Sequence, residues 1–228
     1  GKIDEGLAKL VQANPIYGQV GMGHTRWATH GPPTDENSHP HLDDSGKIAV
    51  VHNGVIENFD SLKQRFLKDG HNFKSATDTE VLAHLIGHHY EAVIASGKGT
   101  WSGEGTHPLA QAVMNALREV IGTYGIGVIC TDHPGVMVGA RRGSPLIVGV
   151  GDGEHFLASD ASAIVSHTRT VIYLKDYDVV TLFPDKFKMD SLGNEVASFQ
   201  LSKIEFDAEA AERGKFAHYM LKEIFEQP

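Results

Sequence analysis

Cysteine is almost absent from this chain: Cys130 is the single one among 228 residues. One thiol excludes an intrachain disulfide framework and suits a reducing compartment. Excess positive charge is missing too. With 20 Lys and Arg against 29 Asp and Glu, the formal net charge is −9. That balance argues against a phosphate-binding surface and so against nucleic acid as a partner. No apolar run approaches the roughly 20 residues that a membrane-spanning helix requires. The first residues do not read as a signal peptide. Internal repeats and low-complexity tracts are also lacking. The expectation is a soluble, acidic, cytoplasmic protein without membrane association.

What is present suffices for one large domain with a full core: 41% of residues are hydrophobic and 21% charged, ordinary values for a globular chain. Gly1-Lys2-Ile3 opens without Met or an apolar strand, and 222–228 is an amphipathic stretch running into Pro228. Both ends therefore read as belonging to something longer, with residues 1–216 as a partial domain and 217–228 as the start of a linker. Apolar spacing predicts helices over 4–12, 59–69 and 108–121, the last two stopped by Gly70 and Gly122. Thr77-Asp78-Thr79-Glu80 reads as a capping box opening a further helix, with Val81, Leu82, Leu85 and Ile86 facing inward. Residues 32–45 read as an ordered polar loop. Period-two patterning predicts strands over 19–22, 47–56, 124–131, 136–140, 146–150, 155–158, 170–174 and 178–182. Helices grouped together and strands grouped together imply an α+β fold with antiparallel sheet.

The densest chemistry lies in Gly23-His24-Thr25-Arg26-Trp27-Ala28-Thr29-His30-Gly31, followed by Val50-Val51-His52-Asn53-Gly54. Arg26 carries a planar fork suited to a carboxylate. Asn53-Gly54 reads either as a tight turn or as an oxyanion hole made of the Asn53 side chain and the Gly54 N–H. Asp78 lies in the first turn of its helix, where the dipole alone stabilises an anion; it could equally accept from a substrate ammonium group. The 14 histidines raise a metal hypothesis, with His39, His41, His84, His88 and His89 as candidates. The His-Glu-x-x-His glutamate is replaced by Leu85, and no Cys or carboxylate is spaced to complete a shell, so no metal site is expected. Cys130 reads as a buried strand residue, not a nucleophile.

Together these stretches closely resemble the glutaminase domain of the glucosamine-6-phosphate synthase family of class II glutamine amidotransferases. Further matching segments are Asn37-Ser38-His39-Pro40-His41, 77–84, Gly122-Thr123-Tyr124-Gly125, Arg142-Gly143-Ser144-Pro145-Leu146, Ala158-Ser159-Asp160 and His218-Tyr219-Met220. The resemblance implies an N-terminal nucleophile hydrolase fold, an αββα sandwich of two antiparallel sheets, incomplete here at its N-terminus. It implies L-glutamine as substrate, no cofactor, and ammonia delivered to fructose 6-phosphate at a sugar isomerase domain of the same polypeptide, with the intact enzyme a homodimer. By position, Arg26 would bind the glutamine α-carboxylate and Asp78 its α-ammonium group. Thr29 and His30 would line the pocket, Asn53 and Gly54 would form the oxyanion hole, and Trp27 would gate the ammonia channel. The family's nucleophilic cysteine, the first residue of the mature protein, has no counterpart in this chain, which alone is expected to be inactive. Alternative readings are the equivalent domain of another class II amidotransferase, such as the one acting on phosphoribosyl pyrophosphate, and a non-catalytic glutamine-binding or regulatory domain. A histidine-rich metal protein ranks last. The Gly- and Ser-rich insertion over 95–107 has no assigned role.

Overall fold

The computed structural model describes residues 6–26, 29–193, 197–205, 214, 216 and 219–226. Two antiparallel sheets form its centre. The first has six strands in the order β1-β2-β3-β4-β8-β9: β1 (His41–Leu42), β2 (Ile48–Ile56), β3 (Gly122–Cys130), β4 (Met137–Arg142), β8 (Asp178–Leu182) and β9 (Phe187–Ser191). The second has four in the order β10-β7-β5-β6: β5 (Ile147–Val150), β6 (His155–Ala158), β7 (Thr170–Tyr173) and β10 (Ser202–Lys203). Helices α2 (Phe59–Lys68), α3 (Asp78–Val93) and α4 (Pro108–Glu119) belong with the first sheet, α1 is Leu7–Ala13 and α5 is Tyr219–Glu226. The expected α+β class with antiparallel sheets is the one observed.

Strand alternation explains the layering. Ile48, Val50, Ile126, Val128, Val138 and Ala140 share one apolar cluster with Leu82, Leu85, Ile86, Leu109 and Val113 of α3 and α4. On β8, Val179 joins that cluster while Val180 and Leu182 face the other way, packing with Val148 and Ile172 of the second sheet and with Leu174 just past β7. The outer face of that second sheet, with Ile147 and Val171, is covered by Ala161, Ile164 and Val165 around a short 3-10 turn, and by Ile204. Close approach of the sheets depends on Gly127 and Gly139, which are register partners. A Cβ on Gly139 would lie 2.8 Å from Leu157 Cδ1, and one on Gly127 would lie 3.4 Å from Leu157 Cδ2.

Several sequence expectations need correction. Residues 19–22 form no strand; Gly18, Gly21 and Gly23 leave little side chain to pack, and no strand pairs with the segment among the described residues. Asn53-Gly54 is not a turn: both lie inside β2, opposite Gly125 and Tyr124, and the strand continues to buried Ile56. Gly54 holds φ 137, and a Cβ there would come within 2.2 Å of the Thr123 carbonyl oxygen, so only glycine fits. Gly122 opens β3. The capping box is half formed. Thr77 Oγ1 accepts from Glu80 N–H at 3.3 Å, but the Glu80 carboxylate accepts from Lys74 N–H at 2.8 Å and Ser75 N–H at 2.7 Å instead of returning to Thr77. Strands β1, β9 and β10 were not legible, because two are only two residues long and β9 is a five-residue edge strand whose alternation spans only Phe187 to Asp190. The start of the expected first helix and part of 217–228 lie outside the described residues.

Candidate functional site

One cavity gathers the motif residues. It holds about 110 Å³ and is lined by His24, Arg26, Thr29, His30, His39, His52, Asn53, Gly54, Thr77, Asp78 and Thr79. Three segments build it: the loop before residue 40, the distal part of β2, and the N-terminus of α3. A hydrogen bond from Ile56 N–H to Asp78 Oδ2 at 2.9 Å pins the last two together. Asn37 ties in the loop, its amide donating to Pro32 O at 3.0 Å and its Oδ1 accepting from Ala76 N–H at 2.9 Å.

Arg26 takes a left-handed backbone conformation, φ 48, which non-glycine residues adopt at a cost. Its guanidinium braces its own loop, donating to Pro32 O at 2.9 Å, His30 O at 2.6 Å and Gly31 O at 3.2 Å. The fork has more N–H donors than these three carbonyls use, and it remains part of the cavity wall. Asp78, which also lines the cavity, is buried, with His30 Nδ1 3.8 Å from one carboxylate oxygen and His52 Nδ1 3.9 Å from the other. Thr29 adjoins His30 at 3.3 Å. Thus all six pocket residues picked from the sequence (Arg26, Thr29, His30, Asn53, Gly54 and Asp78) line one cavity. Trp27 lies outside the described residues.

The sequence motifs assign no pocket role to three histidines that the fold places here, and raise His39 only as a metal ligand. His24 donates from Nε2 to Asn53 Oδ1 at 2.8 Å and accepts Arg26 N–H on Nδ1 at 2.9 Å. His39 stacks on His24, centroids 4.4 Å apart, and accepts the His52 N–H at 3.3 Å. Burial, with the neighbouring His24 second, pushes its pKa down to about 3. His52 donates from Nε2 to Thr123 O at 3.2 Å and so accepts the Thr79 hydroxyl on Nδ1 at 3.1 Å. Burial holds it below the ordinary imidazole range, against the opposing pull of Asp78. His39 and His52 are therefore neutral hydrogen-bonding spacers at neutral pH. The signal available was their place inside or beside the quoted motifs.

Cys130 is buried at the end of β3 and is not part of this cavity wall. Burial raises its thiol pKa, the reverse of what nucleophilic attack needs.

Likeness to known proteins follows the same lines. Residues 12–103 match the family described as glutamine amidotransferase domain. Glutamine–fructose-6-phosphate aminotransferase (isomerizing) of Methanothermobacter thermautotrophicus is 48% identical over 228 residues, covering 100% of this chain and 36% of the relative. The protein of that name from Caldanaerobacter subterraneus is 44% identical over 223 residues, covering 97% of this chain and 34% of the relative. The chain thus spans about a third of the length of the curated relatives it matches. Among solved structures, glutamine phosphoribosylpyrophosphate amidotransferase from B. subtilis superposes with TM-score 0.55 at 26% identity, over 76% of this chain and 35% of that one. A structure titled as the allosteric regulatory enzyme of purine biosynthesis gives 0.56 at 28%, with the same coverage. The chain is a glutamine amidotransferase domain of the N-terminal nucleophile hydrolase type, homologous to the glutaminase portion of the glutamine–fructose-6-phosphate aminotransferases.

Proposed function

We propose that this chain is the glutamine-hydrolysing part of a cytoplasmic glutamine–fructose-6-phosphate aminotransferase. In this reading it binds L-glutamine and supplies ammonia for converting fructose 6-phosphate to glucosamine 6-phosphate at a sugar isomerase domain of the same polypeptide. Residues 1–216 are the glutaminase domain and 217–228 lead to that partner domain. The observation that carries the reading is one cavity lined by both Arg26 and Asp78: opposite charges suited to the two ends of a free amino acid. Arg26 takes the α-carboxylate and Asp78 the α-ammonium group, while Thr29 and His30 complete the wall. Asn53 and Gly54 donate to the oxyanion that forms when the side-chain amide is attacked, and Trp27 gates the exit of ammonia.

Calorimetric titration of the purified chain with L-glutamine tests the binding half of this reading. Saturable binding is expected, with at least about a tenfold loss in Arg26→Ala, since a charge-assisted pair is worth roughly 1.5–3 kcal/mol. Unchanged affinity in that variant removes Arg26 from the carboxylate role. The chain alone should release no ammonia from glutamine, because its only thiol is buried and outside the pocket; measurable release overturns that point. In the full-length protein, Arg26→Ala should raise KM for glutamine and spare synthesis from free ammonia.

A further inference from the structure

A second cluster of titratable groups lies apart from the glutamine pocket and shares no wall residue with it. Asp44, His71 and His84 each offer a ligand atom within 4.8 Å of the others. They surround a cavity of about 230 Å³ that is also lined by Asp43, Ser45, Gly87, His88 and Glu91. The two imidazoles meet Nδ1 to Nδ1 at 3.0 Å. An ion held at ~2.0–2.2 Å from nitrogen and oxygen ligands sets neighbouring donors roughly 3–4 Å apart, so the two nitrogens already stand at ligand spacing. Asp44 is exposed and free to close the remaining distance by side-chain rotation.

Both imidazoles, and the turn that presents Asp44, are held in place by contacts that need no ion. The His84 ring stacks on Phe73 with centroids 4.3 Å apart, and His71 packs on Phe66 at 4.8 Å. The turn that presents Asp44 is locked by Asp43, whose carboxylate accepts Ile48 N–H at 2.9 Å and the Ser45 hydroxyl at 2.6 Å. That turn seats against α3 because position 87 is glycine; a Cβ there would lie 2.7 Å from Asp43 Oδ2. Further along α3, His88 and Glu91 fall on the face that lines the same cavity. Spacing along the chain offers no carboxylate for a histidine shell, whereas the fold sets Asp44 beside His71 and His84. Asp44 and His71 are distant from His84 in sequence and adjacent in space.

We propose that Asp44, His71 and His84 bind a divalent transition-metal ion, with His88, Glu91 or water filling the open position. Two imidazoles and a carboxylate suit Zn²⁺ and its neighbours better than Mg²⁺ or Ca²⁺, which prefer all-oxygen shells. The ion replaces the proton shared between the two rings. It ties together the α2–α3 connection, the β1–β2 turn and α3, the helix whose first turn carries Asp78. Its role is a clamp on that scaffold, and it stands whether or not the glutamine reading does.

The test uses the purified protein stripped with chelator, titrated with Zn²⁺ by calorimetry and with Co²⁺ by visible absorption. A saturable single-site isotherm, a Co²⁺ spectrum of low coordination number and a melting temperature raised by Zn²⁺ are expected. Even outer-shell changes cost about 10–100-fold in metal affinity, so Asp44→Asn and His71→Ala should each weaken Zn²⁺ binding at least tenfold while circular dichroism stays unchanged. The distant control His155→Ala should bind as the parent does. Absence of saturable binding, equal loss in His155→Ala, or parental affinity in the Asp44→Asn/His71→Ala double variant overturns the site; the last result would move binding to the histidines around the glutamine pocket.

Discussion

At the rim of the pocket, the direction in which the Asn53 amide faces is set by His24, whose Nε2–H donates to Oδ1 at 2.8 Å. That contact fixes the flip of the amide and leaves the Nδ2 group as the end that can donate to an oxyanion. His24 is itself held by the Arg26 N–H at 2.9 Å, so the loop brace and the amide are linked through one ring. Asn53→Ala in the full-length protein is expected to lower glutamine-dependent turnover by roughly 10²–10³-fold with ammonia-dependent synthesis intact. Steady-state assays with either nitrogen donor measure this, and a near-normal glutamine rate excludes the oxyanion role. Gly54 admits no such test by substitution, because any Cβ collides with the Thr123 carbonyl and its φ is unsuited to other residues.

Among elements, the decisive contact is between the two sheets. Gly127 and Gly139 face each other across β3 and β4, and Leu157 of β6 enters the space they leave. A methyl group at 139 would meet Leu157 at 2.8 Å and Val180 at 3.1 Å. Gly139→Ala should therefore destabilise the fold by about 1–3 kcal/mol through overpacking, read from the denaturation midpoint in urea. Trimming the neighbour in the pair Gly139→Ala/Leu157→Val should recover part of the loss, since adjacent sites couple. A single variant as stable as the parent would show that the sheets can separate at no cost. The N-terminus of α3 is organised by the same economy of contacts. Thr77, Ser75 and the buried Glu80 carboxylate satisfy the backbone amides there, which leaves Asp78 free of capping duty and bonded to β2 instead.

For the whole molecule, buried neutral histidines set the response to acid. Burial depresses the pKa of His39 to about 3 and of His107 to about 4, and lowers those of His41, His52, His84 and His133. Unfolded, these groups return to their ordinary value near 6.5. Between those limits the unfolded chain binds more protons than the folded one, so stability rises with pH there. Their contribution is complete above about pH 7, starts to fall as the pH drops through 6.5, and keeps falling towards 4. Thermal melts across pH 8 to 4 should show a plateau above neutrality and a steepening loss below 6.5; a melting temperature flat down to pH 5 contradicts the burial of these rings. Among the described residues no helix is long and apolar enough to cross a membrane, and the exposed apolar side chains Leu7, Leu10 and Val11 lie on the short helix α1.

Local patterning by itself determined the α+β class, the helices α2 to α4 and most central strands, because apolar periodicity and glycine stops are properties of neighbouring residues. It also located the Arg26, Asn53-Gly54 and Asp78 segments, whose residue types are unusual wherever they fall. The tertiary structure alone decided that Asn53-Gly54 runs through a strand, because cross-strand pairing with Gly125 and Tyr124 overrides the dipeptide's preference for a turn. It alone brought His24, His39 and His52 round the same cavity, and set Asp44 and His71 against His84. Such groupings depend on long-range pairing of β2 with β3 and on the seating of the β1–β2 turn over Gly87, and distance along the chain carries no record of either.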